Sequence, residues 1–386
     1  MVYKKFRADR LFDGYRFATD SSVLIMKEDA TVEAVISSAD AGDDVQEFEG
    51  ILSPGFINCH CHLELSHMKG MIPEKTGLVP FVSKVMQHRH IAEEEILNAI
   101  RLAEDEMISN GIVAVGDICN NAMTIPQKTT GRIRYHNFIE ASGFLPEVSE
   151  QRFERAVAIF REYAKHYAIP AEANSIVPHA PYSVSRELWQ KIIQFPGNHL
   201  MTIHNQESPE EDELFLYKKG AFLKLYESMG IDISFFQSSG KSSLQTYLPL
   251  FLSNQPLILV HNVHSTREDL LFSKTGHSQV WWCLCPNANL YITGNLPDIT
   301  MIRQGTESIV LGTDSLASNH QLSILAEIRT ILQHLPSLPL EDLLRWGTSN
   351  GAKALQIGNL LGSFEGGKQP GVSLISHDLS GSRRLM

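Results

Sequence analysis

From residue 51 onward the chain alternates short apolar runs with longer stretches of helical period. The apolar runs are 51–59, 112–117, 133–140, 173–178, 200–204, 256–261, 279–284 and 308–313. They are rich in Val, Ile and Leu and short, which suits strands buried on both faces. Helical patterns lie between them, at 91–110, 150–166, 186–195, 210–229, 266–274 and 321–335. Strands that alternate with crossover helices predict an α/β fold with a parallel sheet. Eight such units over roughly 300 residues predict a closed (β/α)8 barrel of the TIM type. An open, doubly wound sheet is the alternative.

The first 50 residues have a different texture. "KKFRADRLFDG", "SSVLIMKEDA" and "TVEAVISSA" read as short strands, followed by a polar loop at "DAGDD". Residues 356–386 contain "LGSFEGGKQPGVSLISHD", Gly-rich and then strand-like. This tail is expected to return to the N-terminal β-layer and complete it. No short internal repeat or low-complexity tract interrupts the pattern.

Composition narrows the function classes. The 386 residues are 43% hydrophobic and 20% charged, which is ordinary for a globular chain with a large core. A net charge of −11 and a pI near 5.8 argue against a nucleic-acid-binding surface. No apolar run reaches the ~18 residues of a membrane span, so no membrane association is expected. "MVYKKFRADR" has no apolar core, so no signal peptide is expected. Five Cys without an export signal suggest a reducing cytoplasm and no disulfide framework. Sixteen His are many, and they direct attention to metal ligands.

The segment "FINCHCHLEL", residues 56–65, offers Cys59, His60, Cys61 and His62 in a row. In a strand, residues i and i+2 share a face. His60 and His62 therefore form one pair, and Cys59 and Cys61 the other. The remaining strand ends decide between them. "PHAPYS" supplies His179, "IHNQES" supplies His204 and Glu207, "LVHN" supplies His261, and "LGTDS" supplies Asp314. In a (β/α)8 barrel these ends meet on one rim, where active sites lie. A single such His is more often a packed residue, but the joint pattern points to a site. His60 and His62 are then expected to face inward. Cys59 and Cys61, like Cys283 and Cys285, would face the helices as small apolar groups. A four-cysteine zinc site would need the two cysteine pairs turned towards each other. Imidazoles with one carboxylate suit Zn²⁺, or Fe²⁺, with a position left for water. Such an ion brings the pKa of that water to about 7. Glu207, three residues past His204, is placed to carry protons. Glu210, Glu211 and Asp212 read as acids at a helix start.

Taken together, "LSPGFINCHCH", "VPHAPYS", "IHNQES", "LVHN", "CPNANLYI" and "LGTDSLASN" resemble the amidohydrolase superfamily. The resemblance covers nearly the whole chain, and is to the branch of metal-dependent aminohydrolases and chlorohydrolases of heterocycles. It implies a (β/α)8 barrel over 53–356 and a small β-sandwich formed from 1–52 and 357–386. It implies one divalent metal, Zn²⁺ with Fe²⁺ as the alternative, held by His60, His62, His204 and Asp314. It assigns catalysis to Glu207 as proton shuttle, to His261 beside the attacking water, and to Asp314 as proton acceptor. It gives His179 a substrate contact. The carboxylated lysine of binuclear relatives has no counterpart in "SIVPHAP", which favours a single metal. "HCHLELSHMKG" is most similar to deaminases of 5′-modified adenosine-type nucleosides, aminofutalosine among them. Glu64 would then bind ribose hydroxyls, and the 63–85 loop would line the pocket with Met68, Met71 and Phe81. Guanine or other nucleobases, S-adenosylhomocysteine, methylthioadenosine and chlorinated rings remain alternative substrates. Amide hydrolysis and a non-catalytic barrel scaffold are the alternatives in kind. The expected partner is a small molecule, and a homodimer is compatible with the chain. The expected location is the cytoplasm.

Overall fold

The computed structural model describes residues 3–19, 21–166 and 173–386. Residue 173, where the fourth apolar run was expected to begin, lies one position before its strand. The run expected at 51–59 is two strands. β4, Val45–Pro54, ends in one sheet and β5, Phe56–Cys61, opens another. Gly55 is the joint. A Cβ there would lie 2.3 Å from Val113 Cγ1 and 2.7 Å from Pro370 O, so only glycine lets the chain pass.

Eight strands carry the parallel pattern. β5 is followed by β6 (Ile112–Cys119), β7 (Arg134–Ala141) and β8 (Asn174–Pro178) in one four-stranded parallel sheet. β9 (Met201–Asn205), β10 (Leu257–His261), β11 (Val280–Leu284) and β12 (Ile309–Leu311) form a second. The two sheets meet at both edges near their C-terminal ends. There His204 N donates to His179 O at 3.0 Å, and Thr313 N and Asp314 N each donate to His60 O at 3.0 Å. Every residue of β8, β9 and β10 is buried, which accounts for their unbroken apolar sequence. Helices cover the outside, and one large core runs between them and the strands.

The helical patterns fall where periodicity puts them, with one exception. The stretch 210–229 is two helices, Pro209–Tyr217 and Ala221–Ser228. Lys218 at φ 51° and Gly220 at φ 93° end the first and restart the chain in a new direction.

The chain ends do meet. β1 (Tyr3–Leu11), β2 (Ser22–Lys27) and β3 (Val32–Ser37) join β4, and the tail adds β13 (Val372–Ile375) and β14 (Ser382–Arg384). Their ladders make one six-stranded sheet, ordered β14-β13-β4-β1-β2-β3. Hydrogen bonding thus defines a single sheet here, where a two-layered sandwich was expected. Among the described residues, no helix is long and apolar enough to cross a membrane.

Candidate metal centre

His60 is the fifth residue of β5, and His62 lies just past its end. Their Nε2 atoms are 3.2 Å apart, and His62 Nε2 is also 3.2 Å from His204 Nε2 at the end of β9. Asp314 follows β12 and places Oδ1 3.5 Å from His60 Nε2 and 3.4 Å from His62 Nε2. Gly312 allows this approach, because a Cβ there would lie 2.8 Å from His60 Cβ. Three imidazole nitrogens therefore converge within 4.8 Å of one another, with Asp314 Oδ1 beside two of them. Ligands at ~2.1 Å in a tetrahedron are roughly 3.4 Å apart, so the spacing fits a small divalent cation.

Protonation supports the same reading. The His204 Nδ1–H donates to His179 O at 2.8 Å, which leaves Nε2 as a lone pair. His62 Nε2 faces two such nitrogens at 3.2 Å, and a single N–H there can donate to only one of them, whereas a cation takes all three lone pairs. Burial holds the His62 imidazole down at about 3 and pushes His204 well below its ordinary range, so neither carries its own positive charge. Burial works to raise Asp314, but contacts led by the hydrogen bond with His60 outweigh it and hold the carboxylate well below its usual range. Ser318 Oγ donates to Asp314 Oδ2 at 2.5 Å and leaves Oδ1 for the centre. The residues fit a bound cation.

Two more groups stand beside the cluster. His261, at φ 76°, donates from Nδ1 to Asn289 Oδ1 at 2.8 Å. Its Nε2 then lies 3.7 Å from Glu207 Oε2. Burial, with Asp314 and Glu211 nearby, raises the Glu207 carboxyl well above its usual range. A carboxyl so placed exchanges protons near neutral pH more readily than an exposed one.

The cluster opens onto a pocket of about 500 Å³. His62, His204, Glu207, His261, Asp314 and His179 line it. His179 Nδ1 pairs with Ser183 Oγ at 2.7 Å, which turns the other ring nitrogen free of that bond. Glu64 is placed differently from the expectation. Its Oε1 accepts from Arg89 at 2.9 Å and its Oε2 from Asn120 N at 3.0 Å, while Arg89 and Asn120 form the pocket wall in its stead. Among the apolar residues expected there, Phe81 lines the pocket. Met68 is buried in a satellite core and Met71 is 50% exposed.

Glu140 was passed over, although it lies near the C-terminal end of β7 and the strand-end rule reaches it. Its Oε2 accepts from Asn120 at 3.1 Å, and its Oε1 is buried without a hydrogen-bond partner, 3.5 Å from His204 Nδ1. Burial raises its carboxyl to about 7. Glu140, His179 and His204 form a second group of metal-capable side chains. That group is not independent, because it shares His204.

The cysteine pair behaves as the alternation implies. Cys59 Sγ faces Gly351 O at 3.8 Å on the helical side, and all five cysteines are buried free thiols. Cys59→Ser is expected to leave metal content unchanged and to cost at most about 2 kcal/mol of stability. A thermal melt and a chelator assay check this, and loss of metal would put the sulfur in the ligand set.

The chain matches the amidohydrolase family over residues 51–380. It belongs to that family. This amidohydrolase is 28% identical over 335 residues to an adenosine deaminase of Helicobacter pylori, covering 85% of this chain and 80% of that one. It is 25% identical over 384 residues to a 5-methylthioadenosine/S-adenosylhomocysteine deaminase of Teredinibacter turnerae, covering 93% and 80%. Its fold matches the crystal structure of Helicobacter pylori aminofutalosine deaminase in complex with methylthio-coformycin. There the TM-score is 0.83 at 24% identity, with 97% of this chain and 92% of that one covered. The amidohydrolase is therefore a hydrolase acting on C–N bonds.

Proposed function

We propose that this amidohydrolase deaminates a 5′-modified adenosine-type nucleoside, aminofutalosine being the leading candidate. The observation that carries the reading is the four-atom cluster of His60, His62, His204 and Asp314, with Glu207 and His261 beside it on one pocket floor. We assign the four as ligands of one divalent ion, Zn²⁺ by the chemistry of three imidazoles and a carboxylate. Such an ion makes water acidic enough to attack at neutral pH.

The chain's own groups do the rest. Glu207 delivers a proton to the ring nitrogen next to the amino-bearing carbon, and then to the departing amine. His261 is fixed in one tautomer by Asn289, with its Nε2 turned to the reacting face. Asp314 Oδ1 accepts the proton released as the carbon is attacked, and that proton passes back through Glu207 to the departing amine. His179 and the free oxygen of Glu140 are available to substrate. Glu64 acts through Arg89 and Asn120 rather than by touching the sugar.

The outer pocket favours an extended nucleoside over a bare base. Phe81, Val85, Phe144, Leu225, Tyr226 and Ile231 give it an apolar wall. Arg152 lines the same pocket, and among the described residues no ion pair or side-chain hydrogen bond engages its guanidinium. An apolar 5′ extension ending in a carboxylate matches that outline. The relatives named for adenosine and for methylthioadenosine and S-adenosylhomocysteine agree with an adenosine-type ring. We place the closure of the eight units into a (β/α)8 barrel at 53–356, with 1–52 and 357–386 as the small β unit. We place the protein in the cytoplasm, where five free thiols stay reduced.

Ammonia release, with bound metal quantified, across adenosine derivatives, guanine and cytosine is the test. Release from a 5′-modified adenosine, at about one metal per chain, is expected, with the highest kcat/KM for an anionic extension. Metal bound without release from any nucleoside would overturn the purine reading and point to amides or halogenated rings.

A further inference from the structure

Beside β5, where Asp117 stands opposite Cys61, and outside the pocket, lies a fully buried ion pair. Lys128 and Asp117 each have side chains with 0% exposure, and Lys128 Nζ is 2.5 Å from Asp117 Oδ2. Lys128 also donates to Asn137 Oδ1 at 2.7 Å and to Cys119 Sγ at 3.3 Å, and lies over the rings of Tyr135 and Tyr163 at 4.9 and 5.1 Å. Neither charge lines the pocket. A buried pair of this kind rarely stabilises a fold more than apolar residues of the same volume would. Its position calls for another account.

The second oxygen of the carboxylate supplies one. Asp117 Oδ1 accepts from Leu63 N at 2.8 Å. Leu63 follows His62 and opens the 3-10 helix Leu63–Met68, whose cap, His62, makes no side-chain capping bond. The β5–β6 ladder shifts register between Asn58 and Cys61, so regular pairing does not hold the backbone at this point. The contact from Asp117 takes its place. It ties down the peptide that joins His62 to Leu63.

We propose that the Asp117–Lys128 pair is a positioning device for the metal centre: Lys128 holds the Asp117 carboxylate, which anchors the Leu63 amide and so aims His62 at the other ligands. Both residues are positioning residues, since neither touches substrate. The inference concerns a group set behind the proposed ligands and rests on that ligand assignment.

Two charge-balanced double variants test it without leaving a buried charge unpaired. In Asp117→Asn with Lys128→Met, the side chain keeps an acceptor for Leu63 N. In Asp117→Leu with Lys128→Met, the acceptor is gone. The readouts are the dissociation constant for Zn²⁺ by chelator competition and the Tm of the metal-free protein. The asparagine version is expected to bind Zn²⁺ within about threefold of wild type. The leucine version is expected to lose about 10- to 100-fold, the range seen when groups behind metal ligands are removed, at similar metal-free Tm. If the leucine version does not fold, Asp117→Ala in the Lys128→Met background replaces it. Equal affinity in the variants with and without the acceptor would reduce the pair to a structural feature and overturn the proposal. Failure to bind Zn²⁺ in wild type would overturn the ligand assignment, and the proposal with it.

Discussion

Glu207→Gln is expected to keep its metal and lose about 10²- to 10⁴-fold in kcat, the usual share of a positioned acid–base group. The substitution keeps shape and hydrogen-bonding reach but removes the exchangeable proton. The side chain is buried, with 5% exposure, and His261 lies 3.7 Å from it. That imidazole is pushed down to about 4, chiefly by burial. It therefore holds no spare proton at neutral pH to stand in for the missing carboxyl. The check pairs single-turnover ammonia release with metal analysis of the same sample. A rate near wild type would show that another group carries the proton, and Glu140 would be the next to test.

His60→Ala is expected to remove the metal and all measurable activity together. Its Nε2 lies 3.2 Å from His62 and 3.5 Å from Asp314. Without it two imidazoles and one carboxylate remain, and the ring leaves a void in a site where every neighbour is already packed. Asp314→Ala is expected to act alike, since it deletes the charged donor and strands the hydroxyl of Ser318. Stability should fall in both by the binding free energy no longer available from the ion, so melts with and without added Zn²⁺ converge. A purified variant with a full metal complement would remove that residue from the ligand set.

Much of this was readable before any coordinates, and the failures have physical causes. The eight strands were found because burial on both faces leaves an apolar run that no turn or exposed helix imitates. The strand-end rule then collected His62, His179, His204, Glu207, His261 and Asp314 on one pocket floor, with His60 buried beside them. It reaches Asp117 and Glu140 equally well, but a lone acid after an apolar strand carries less signal than a histidine, and they were missed. Arg89 and Arg152 reach the pocket from outside the strands, where an arginine looks like any solvated one. The partner of Glu64 was hidden because it is Arg89, 25 residues on. Sequence adjacency says nothing of that contact. The break at Gly55 was hidden because two sheets trade the chain there without losing an apolar residue.

The six-stranded sheet has a consequence for how the chain is made. β4 has β1 on one side and β13 on the other, and β13 is translated roughly 320 residues after β4 leaves the ribosome. At ~5–20 residues per second, that edge stays open for on the order of 15 to 65 seconds. During that interval the nascent chain offers an apolar strand, "GILSP", to any passing β-edge. Yield from a cell should therefore depend on how fast the codons between β4 and β13 are read and on which chaperones wait at the exit tunnel, even when the finished enzyme is stable.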